Sequence, residues 1–235
     1  MMDRRDFEVQ ARPGPVWITP AQTAVIVVDM QNDFGSPGGM FDRAGIDISG
    51  IRAAVPPTAQ VLAAARAAGI PVIYLQMQHR GDLSDMGGPD APHRQRHALM
   101  QVGETVTAPD GSPTRILIEG QWGTRIIDDL APEPSDILVP KHRFSGFFET
   151  PLHTILQGLG ARHLIFTGCT TSICVESTIR DAMFRDYACI LLEDCTAEPI
   201  GQGNGRSNHE ASLRTIEVLL GWVSNSHDFL KALAD

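Results

Sequence analysis

The chain has 235 residues, and its 19 basic and 28 acidic side chains give a formal net charge of -9 at pH 7. With 43% hydrophobic and 20% charged residues, the composition excludes a disordered chain and is typical of a globular protein with a large core. The acidic balance argues against a nucleic acid or an anionic membrane as the main partner. No stretch approaches the roughly 20 apolar residues that a membrane span requires, and we expect a cytoplasmic protein.

Strand and helix patterns alternate from residue 23 onwards, as in a parallel sheet whose strands are joined by helices. The apolar segments predicted as strands are 23–29, 70–76, 136–141, 163–168, 188–194 and 221–224. Helices are predicted near 57–68, 122–130, 150–158, 174–187 and 208–219 and at the chain end. We therefore predict one three-layer α/β domain with a six-stranded sheet over residues 21–235, preceded by an N-terminal extension over residues 1–20.

A long segment without a regular pattern, 78–121, interrupts this alternation and is rich in Gly, Pro, His and Asp. A stretch of that length inside a compact domain usually forms a functional lid or an oligomer contact. A solvated excursion without a role is the alternative.

Three reactive side chains follow the predicted strands. Asp29 ends the first strand, Lys141 ends the third, and Cys174 follows the fourth. Taken singly, each has an ordinary structural explanation, as a turn residue, a solvated cation or a packing residue. Together they are chemically complementary, because a thiol needs a base to become a thiolate and a cation to stabilise it. Since ligands of open parallel sheets bind beyond the carboxyl ends of the strands, we predict an active site there.

The composition singles out Lys141, because the chain has 17 Arg and only two Lys, the other being Lys231. A compact ammonium bridges two anions and shifts its pKa more readily than a guanidinium. The predicted helix beginning at Cys174 should lower the pKa of its thiol from the usual value of about 8.5. Cys169 is a weaker candidate, and Cys189 and Cys195 are interpreted as packing residues. Without a C-x-x-C pair, we expect four free thiols.

Three segments resemble the signature segments of the isochorismatase-like cysteine hydrolases: VVDMQNDF (27–34), LVPKHRFSGFFETPL (138–152) and GCTTSICVESTIRDA (168–182). The resemblance covers residues 20–231. It implies a parallel sheet of order 3-2-1-4-5-6, a catalytic triad of Asp29, Lys141 and Cys174, and a homodimer or homotetramer. We expect no cofactor. It also implies a cis peptide between Cys169 and Thr170, with the amides of Thr170 and Cys174 forming an oxyanion hole. The thiol argues against a true isochorismatase.

Metal-dependent nicotinamidases of this family carry an Asp-x-His followed by further histidines after the second strand. In this chain His79, Asp82 and His93 stand at spacings that do not match that pattern. We therefore predict no metal.

The subgroup signals are mixed. HRGDLSD (79–85) and VSNS (223–226) look like the corresponding segments of biuret hydrolases, whereas SGFF (145–148), CVEST (174–178) and GWVS (221–224) look more like ureidoacrylate amidohydrolases. Both groups cleave a C–N bond of a small ureido compound. The favoured prediction is a biuret or triuret hydrolase that acts through a thioester, with ureidoacrylate hydrolysis or another N-carbamoyl or maleamate amide hydrolysis as the alternative.

Substrate contacts are predicted for Phe34, His79, Arg80 and Phe148. Two rival interpretations of the thiol remain. His142, beside Lys141, would suit a Cys-His dyad, although adjacent side chains of a strand point to opposite faces. A catalytically silent or redox protein would use Cys174 as an oxidisable thiol, but it would have no need of a proton acceptor.

Overall fold

The computed structural model describes residues 6–201, 205 and 207–234. The strands are β1 (Phe7–Val9), β2 (Val16–Ile18), β3 (Thr23–Val28), β4 (Val72–Met77), β5 (Thr105–Thr107), β6 (Pro113–Arg115), β7 (Ile137–Lys141), β8 (His163–Cys169), β9 (Ala188–Ala197) and β10 (Trp222–Ser224). The α-helices are α1 (Asn32–Gly35), α2 (Met40–Arg43), α3 (Ser49–Ala67), α4 (Pro92–Leu99), α5 (Leu152–Gly158), α6 (Glu176–Met183), α7 (Asn208–Thr215) and α8 (Ser226–Ala234).

The central sheet runs in the order β7-β4-β3-β8-β9-β10, and every neighbouring pair is parallel. Counted along these six strands alone, the order is 3-2-1-4-5-6, so the predicted fold class is confirmed. All six residues of β3 are buried, which accounts for the continuous apolar run at this position. The direction of winding reverses between β3 and β8, which places the expected ligand crevice at their carboxyl ends.

The two faces of the sheet are covered by different helices. Alternate residues of β3 point to opposite faces: Val25 and Val27 belong to one apolar cluster with Leu62 of α3 and Phe229 of α8. Ala24, Ile26 and Val28 belong to a second cluster that includes residues of α5, α6 and α7. The protein therefore has the three predicted layers.

The N-terminal segment forms a small antiparallel hairpin of β1 and β2 beside the terminal helix. The ring of Phe7 packs edge-on against Phe229 of α8 at a centroid distance of 6.4 Å. Arg12 in the connection forms an ion pair with Glu193 of β9 at 2.7 Å. Residues 1–5 of the predicted extension, and residues 202–204, 206 and 235 of the predicted domain, lie outside the described residues. In the part that is described, no helix has both the length and the apolarity to cross a membrane.

Helix α3 starts eight residues before the predicted position. The Pro56-Pro57 pair lies inside this helix. The predicted helix near 122–130 is wrong, because two 3₁₀ turns, Trp122–Thr124 and Asp128–Leu130, occupy this segment. Two side chains that follow β3 hold this segment through its backbone carbonyls. Asn32 donates to the carbonyl of Trp122 at 3.0 Å, and Gln31 donates to the carbonyl of Thr124 at 3.0 Å.

The segment 78–121 contains more structure than its composition predicts. Helix α4 runs through it, and β5 and β6 form an antiparallel hairpin. The helical sequence PHRQRHAL lacks an apolar stripe at helical spacing, so the pattern gave no signal for it.

Gly168 allows β8 to approach β3 closely. Its φ is 116°, and a Cβ at this position would lie 2.0 Å from the carbonyl oxygen of Val28. We expect Gly168→Ala to lower the free energy of unfolding by about 2–5 kcal/mol, because backbone strain and overpacking add. Urea unfolding measures this change. Gly160→Ala is the matched control, since Gly160 also has a positive φ (65°) but has no atom within 4 Å of the added Cβ. Equal losses in both variants would contradict the steric explanation.

Candidate active site

Asp29 follows the last residue of β3 in a left-handed conformation with φ 51°. Aspartate tolerates this conformation better than most residues. Its backbone is held on both sides, because its N–H donates to the carbonyl of Leu75 at 3.0 Å and its carbonyl accepts from the Cys169 thiol at 3.2 Å. The turn is therefore fixed, and with it the direction of the carboxylate at the edge of the sheet.

Lys141 ends β7 and forms an ion pair with Asp29, with 2.7 Å between Nζ and Oδ2. Both side chains are almost completely buried. The other carboxylate oxygen of Asp29 accepts from the backbone N–H of Met77 at 3.1 Å, and Lys141 also donates to the carbonyl of Arg143 at 3.2 Å. The pair is thus held at a fixed position and shielded from water.

Burial and the neighbouring charges shift the pKa values of Asp29 and Lys141 in opposite directions. Burial raises the pKa of Asp29, although Lys141 partly offsets the effect. Burial alone would lower the pKa of Lys141, but Asp29 and Cys174 outweigh it and leave this pKa above its ordinary value. Lys141 is therefore a fixed cation near neutral pH, and Asp29 is a better proton acceptor than an ordinary aspartate.

Cys174 is buried in a π-helical turn, Thr171–Val175, that leads into α6. Burial raises the pKa of its thiol, Lys141 lowers it and Asp29 raises it further. The expectation of a lowered thiol pKa is therefore wrong for the resting site. Helical structure begins at Thr171 and not at Cys174, and burial dominates. Cys174 rests as a thiol beside its carboxylate neighbour, which argues against the redox interpretation, because redox-sensing thiols have low pKa values.

The turn before Cys174 contains the expected cis peptide between Cys169 and Thr170. Glu198 holds this turn, because its carboxylate accepts from the N–H of Ser172 at 2.8 Å and from the Ser172 hydroxyl at 2.6 Å. Sequence patterns gave no signal for Glu198. Thr170 lines the same cavity as Cys174, and the assignment of their amides to an oxyanion hole stays a prediction.

A cavity of about 460 Å³ opens beside Asp29 and Cys174. Most of its wall is apolar, and three aromatic side chains, Phe34, Phe41 and Phe144, contribute to it. Arg96 and His97 of α4 also line it, and Arg96 is exposed. The site can therefore enclose a small molecule in dry surroundings.

The predicted substrate contacts are only partly brought together. Phe34 lines the cavity, as predicted. His79 is buried outside the cavity wall with its Nδ1 3.1 Å from Asp85, and Arg80 is exposed beside a separate, smaller cavity. Phe148 is 44% exposed and packs on His142. His79, Arg80 and Phe148 are not among the residues that line the cavity beside Cys174, and their roles as substrate contacts stay predictions.

His142 does not enter the cavity either. Its Nε2 lies 3.0 Å from a carboxylate oxygen of Glu149. Lys141 and His142 point in different directions, as expected for adjacent residues at a strand end. The geometry gives no support to a Cys-His dyad.

Sequence analysis missed much of the cavity wall, including Arg96, His97 and Phe144. Arg96 and His97 lie on α4, whose existence the pattern did not reveal. Pro92 at the helix start was the available signal, since proline is common in the first helical turn.

Helix α4 also creates a histidine cluster next to the cavity. His79, His93 and His97 each offer a ligand atom, and these atoms lie within 4.8 Å of one another. The spacing argument against a metal considered Asp82, which is exposed, and did not consider His97. That argument is therefore incomplete, because a helix brings His93 and His97 together one turn apart.

Comparisons with known proteins assign the chain to a family. An isochorismatase domain model matches residues 23–228. The chain belongs to the isochorismatase family. A curated relative, ureidoacrylate amidohydrolase RutB from Azorhizobium caulinodans, is 42% identical over 224 residues, which cover 95% of this chain and 96% of the relative.

Two solved structures are similar to this chain. A cysteine hydrolase from Pseudomonas syringae pv. phaseolicola has a TM-score of 0.78 and 33% identity, covering 92% of this chain and 94% of its own. N-carbamoylsarcosine amidase from Thermoplasma acidophilum has a TM-score of 0.63 and 25% identity, covering 87% and 96%. The family and its relatives support a hydrolase of the amidohydrolase type.

Proposed function

We propose that the protein is a cysteine-dependent amidohydrolase that cleaves a C–N bond of a small ureido compound carrying a carboxylate, of the ureidoacrylate type. The proposal rests on Asp29 and Cys174, which line one cavity, and on the buried ion pair that Lys141 forms with Asp29. The ureidoacrylate amidohydrolase among its relatives supports the substrate class.

In the proposed mechanism, Asp29 accepts the thiol proton of Cys174 as the substrate binds. The thiolate attacks the ureido carbonyl carbon, and the amides of Thr170 and Cys174 stabilise the resulting oxyanion. Asp29 then returns the proton to a flanking nitrogen, the C–N bond breaks and the amine leaves. Asp29 then accepts a proton from the water that attacks the S-acyl intermediate and returns it to the departing sulfur of Cys174, which regenerates the thiol. Lys141 stays protonated and stabilises the Asp29 carboxylate and the Cys174 thiolate.

The raised pKa of Cys174 fits this order of events. A thiol with a raised pKa stays protonated until a base removes its proton, which is the role proposed for Asp29. Burial also raises the pKa of Asp29, which brings it closer to the pKa of the Cys174 thiol and so favours proton transfer between them.

The relatives and the cavity favour ureidoacrylate over biuret or triuret, which the sequence patterns placed first. Biuret and triuret are uncharged, whereas ureidoacrylate carries a carboxylate on a short unsaturated chain. The apolar wall suits that chain, and Arg96, which also lines the cavity, is the residue that we propose pairs with the carboxylate.

We expect Arg96→Gln to raise the KM for ureidoacrylate about 10- to 100-fold, as the loss of a charge-assisted hydrogen bond would. Turnover of an uncharged ureide should change little. Ammonia release from ureidoacrylate, biuret, triuret and maleamate measures both effects. Arg94→Gln is the matched control, because Arg94 lies on the same helix but donates to the carbonyl of Gly87 outside this cavity. If the protein hydrolysed biuret or triuret faster than ureidoacrylate, and Arg96→Gln did not change this activity, the protein would instead be a biuret or triuret hydrolase.

The homodimer or homotetramer implied by the family resemblance stays a prediction, as does the cytoplasmic location.

A further inference from the structure

The turn Thr171–Val175, the nucleophile turn, is connected to its surroundings by a chain of three polar side chains. The hydroxyl oxygen of Thr171 lies 2.9 Å from that of Thr196 in β9 and 3.0 Å from Nδ1 of His209 in α7. The hydroxyl of Thr196 donates to the carbonyl of Gly168 at 2.6 Å. Both threonines are buried. The chain therefore joins β8, β9 and α7 to the nucleophile turn.

The number of protons fixes the direction of every bond in this chain. A carbonyl oxygen can only accept, so Thr196 donates its single hydroxyl proton to Gly168 and must accept from Thr171. Thr171 has then donated its own proton, so it must accept from His209. His209 therefore carries a proton on Nδ1 and is the first donor of the chain.

His209 does not line the catalytic cavity. Together with Thr196 it lines a second cavity of about 500 Å³ between α3, the end of β9 and the start of α7. Among the described residues, the wall of this second cavity and the wall of the cavity beside Cys174 have no member in common. Any effect of His209 on the reaction must therefore pass through Thr171 and the nucleophile turn.

We propose that His209 and Thr196 are positioning residues for the nucleophile, and that their hydrogen bonds hold the nucleophile turn so that Cys174 and its amide face the substrate carbonyl. This inference rests on the proposed function, because it assigns both residues to the same thiol reaction. Catalytic groups tolerate little displacement, since a misplacement of about 1 Å can cost about 100-fold in rate.

A second set of contacts should keep the nucleophile turn folded when this chain is broken. Glu198 accepts from the N–H of Ser172 at 2.8 Å and from its hydroxyl at 2.6 Å. The N–H of Val175 donates to the carbonyl of Thr170 at 3.2 Å. Neither contact involves His209, so we expect a substitution of His209 to displace the turn without unfolding it.

Steady-state hydrolysis of ureidoacrylate by three variants of His209 tests the proposal. His209→Leu removes the first donor, and we expect kcat to fall about 10- to 100-fold with little change in KM, because positioning of the nucleophile is lost and substrate binding is not. His209→Asn places an amide N–H near the position of Nδ1 and should restore most of the turnover. His209→Gln places its amide near the position of Nε2 and should not.

The other end of the chain gives a second pair of variants. Thr196→Val removes the hydroxyl between Thr171 and Gly168, and it should lower kcat in the same way as His209→Leu. Thr196→Ser keeps the hydroxyl and should retain most of the turnover. A loss that came from packing alone would be at least as large in Thr196→Ser, which removes a methyl group, as in Thr196→Val.

His153→Leu is the matched control. His153 is also a half-buried histidine in a helix, and its Nδ1 lies 3.0 Å from a hydroxyl oxygen, that of Tyr187. It lies on α5 and does not line the cavity beside Cys174. We expect His153→Leu to keep the wild-type kcat, and thermal unfolding measures the stability of each variant separately.

Histidine NMR gives a readout that needs no turnover. Long-range ¹H–¹⁵N spectra of the neutral imidazole rings show which nitrogen carries the proton, and the signal absent from His209→Asn identifies His209. We expect the proton on Nδ1 in the wild-type protein and in Cys174→Ala.

Four results would overturn the proposal: wild-type kcat in His209→Leu, an equal loss in His153→Leu, no greater turnover in His209→Asn than in His209→Gln, or a proton on Nε2 of His209 alone. If the wild-type protein hydrolysed neither ureidoacrylate, biuret, triuret nor maleamate, the proposed function would fail. A proton on Nδ1 of His209 would then still confirm the direction of the chain.

Discussion

A Cys174→Ala variant is expected to lose ureidoacrylate hydrolysis by a factor on the order of 10⁴ or more. Removing the nucleophile eliminates the covalent route, and the oxyanion donors and the binding cavity leave only weak residual catalysis. The variant should fold normally, because one sulfur is replaced by a hydrogen. Steady-state ammonia release measures the loss, and thermal unfolding confirms that the fold is retained.

Cys189→Ala is the matched control for this prediction. Cys189 is also buried and its thiol pKa is also raised by burial, but it lies in β9 and does not line the cavity. It should retain near wild-type turnover. If both variants hydrolysed ureidoacrylate equally well, the thiol mechanism would be wrong.

Lys141→Met is expected to reduce both activity and stability. Removing one member of a buried ion pair leaves the other charge uncompensated and typically costs about 3–5 kcal/mol of unfolding free energy. Turnover should fall on the order of 100-fold or more, because the thiolate loses its counter-charge. Urea unfolding at several pH values and ammonia release measure the two effects.

The loss of stability in Lys141→Met should depend on pH in a defined direction. Burial already raises the pKa of Asp29, and loss of Lys141 raises it further. A group whose pKa is raised in the folded state favours folding when protonated, so the stability deficit of Lys141→Met should shrink as the pH falls and grow as it rises. A deficit independent of pH would contradict the account of a buried ion pair.

Two control variants accompany Lys141→Met. Lys231→Met, at an exposed position of α8, should change neither property. Lys141→Arg keeps the positive charge but replaces a compact ammonium in a fully buried site with a larger planar group. We expect it to lose activity as well, and normal turnover would show that charge alone suffices.

The fold was predictable because its signals are local. The apolar segment of β3 identified a strand buried on both faces, and the alternation of strands and helices identified a parallel sheet. Helix α4 was not predictable, because its polar sequence has no apolar stripe. The predicted helix near 122–130 failed for a different reason, since Gln31 and Asn32 bind its carbonyls from a distant part of the chain.

The same distinction applies to the site. Asp29, Lys141 and Cys174 follow strands that the sequence reveals, so their meeting could be expected, and the ion pair between Asp29 and Lys141 confirms that these two lie together. The raised pKa of Cys174 could not be expected, because it depends on burial that only the packed structure creates. The histidine cluster could not be predicted either, because two of its three members, His93 and His97, lie on α4, which the sequence pattern does not indicate.

The most direct test of the central claim is the intact mass of the protein quenched with acid during turnover of ureidoacrylate, followed by peptide mapping. The account predicts a covalent S-acyl adduct on the peptide that contains Cys174, and its absence in Cys174→Ala. Turnover at full rate without any adduct at Cys174, together with unprotected alkylation of this thiol in the presence of ureidoacrylate, would contradict it.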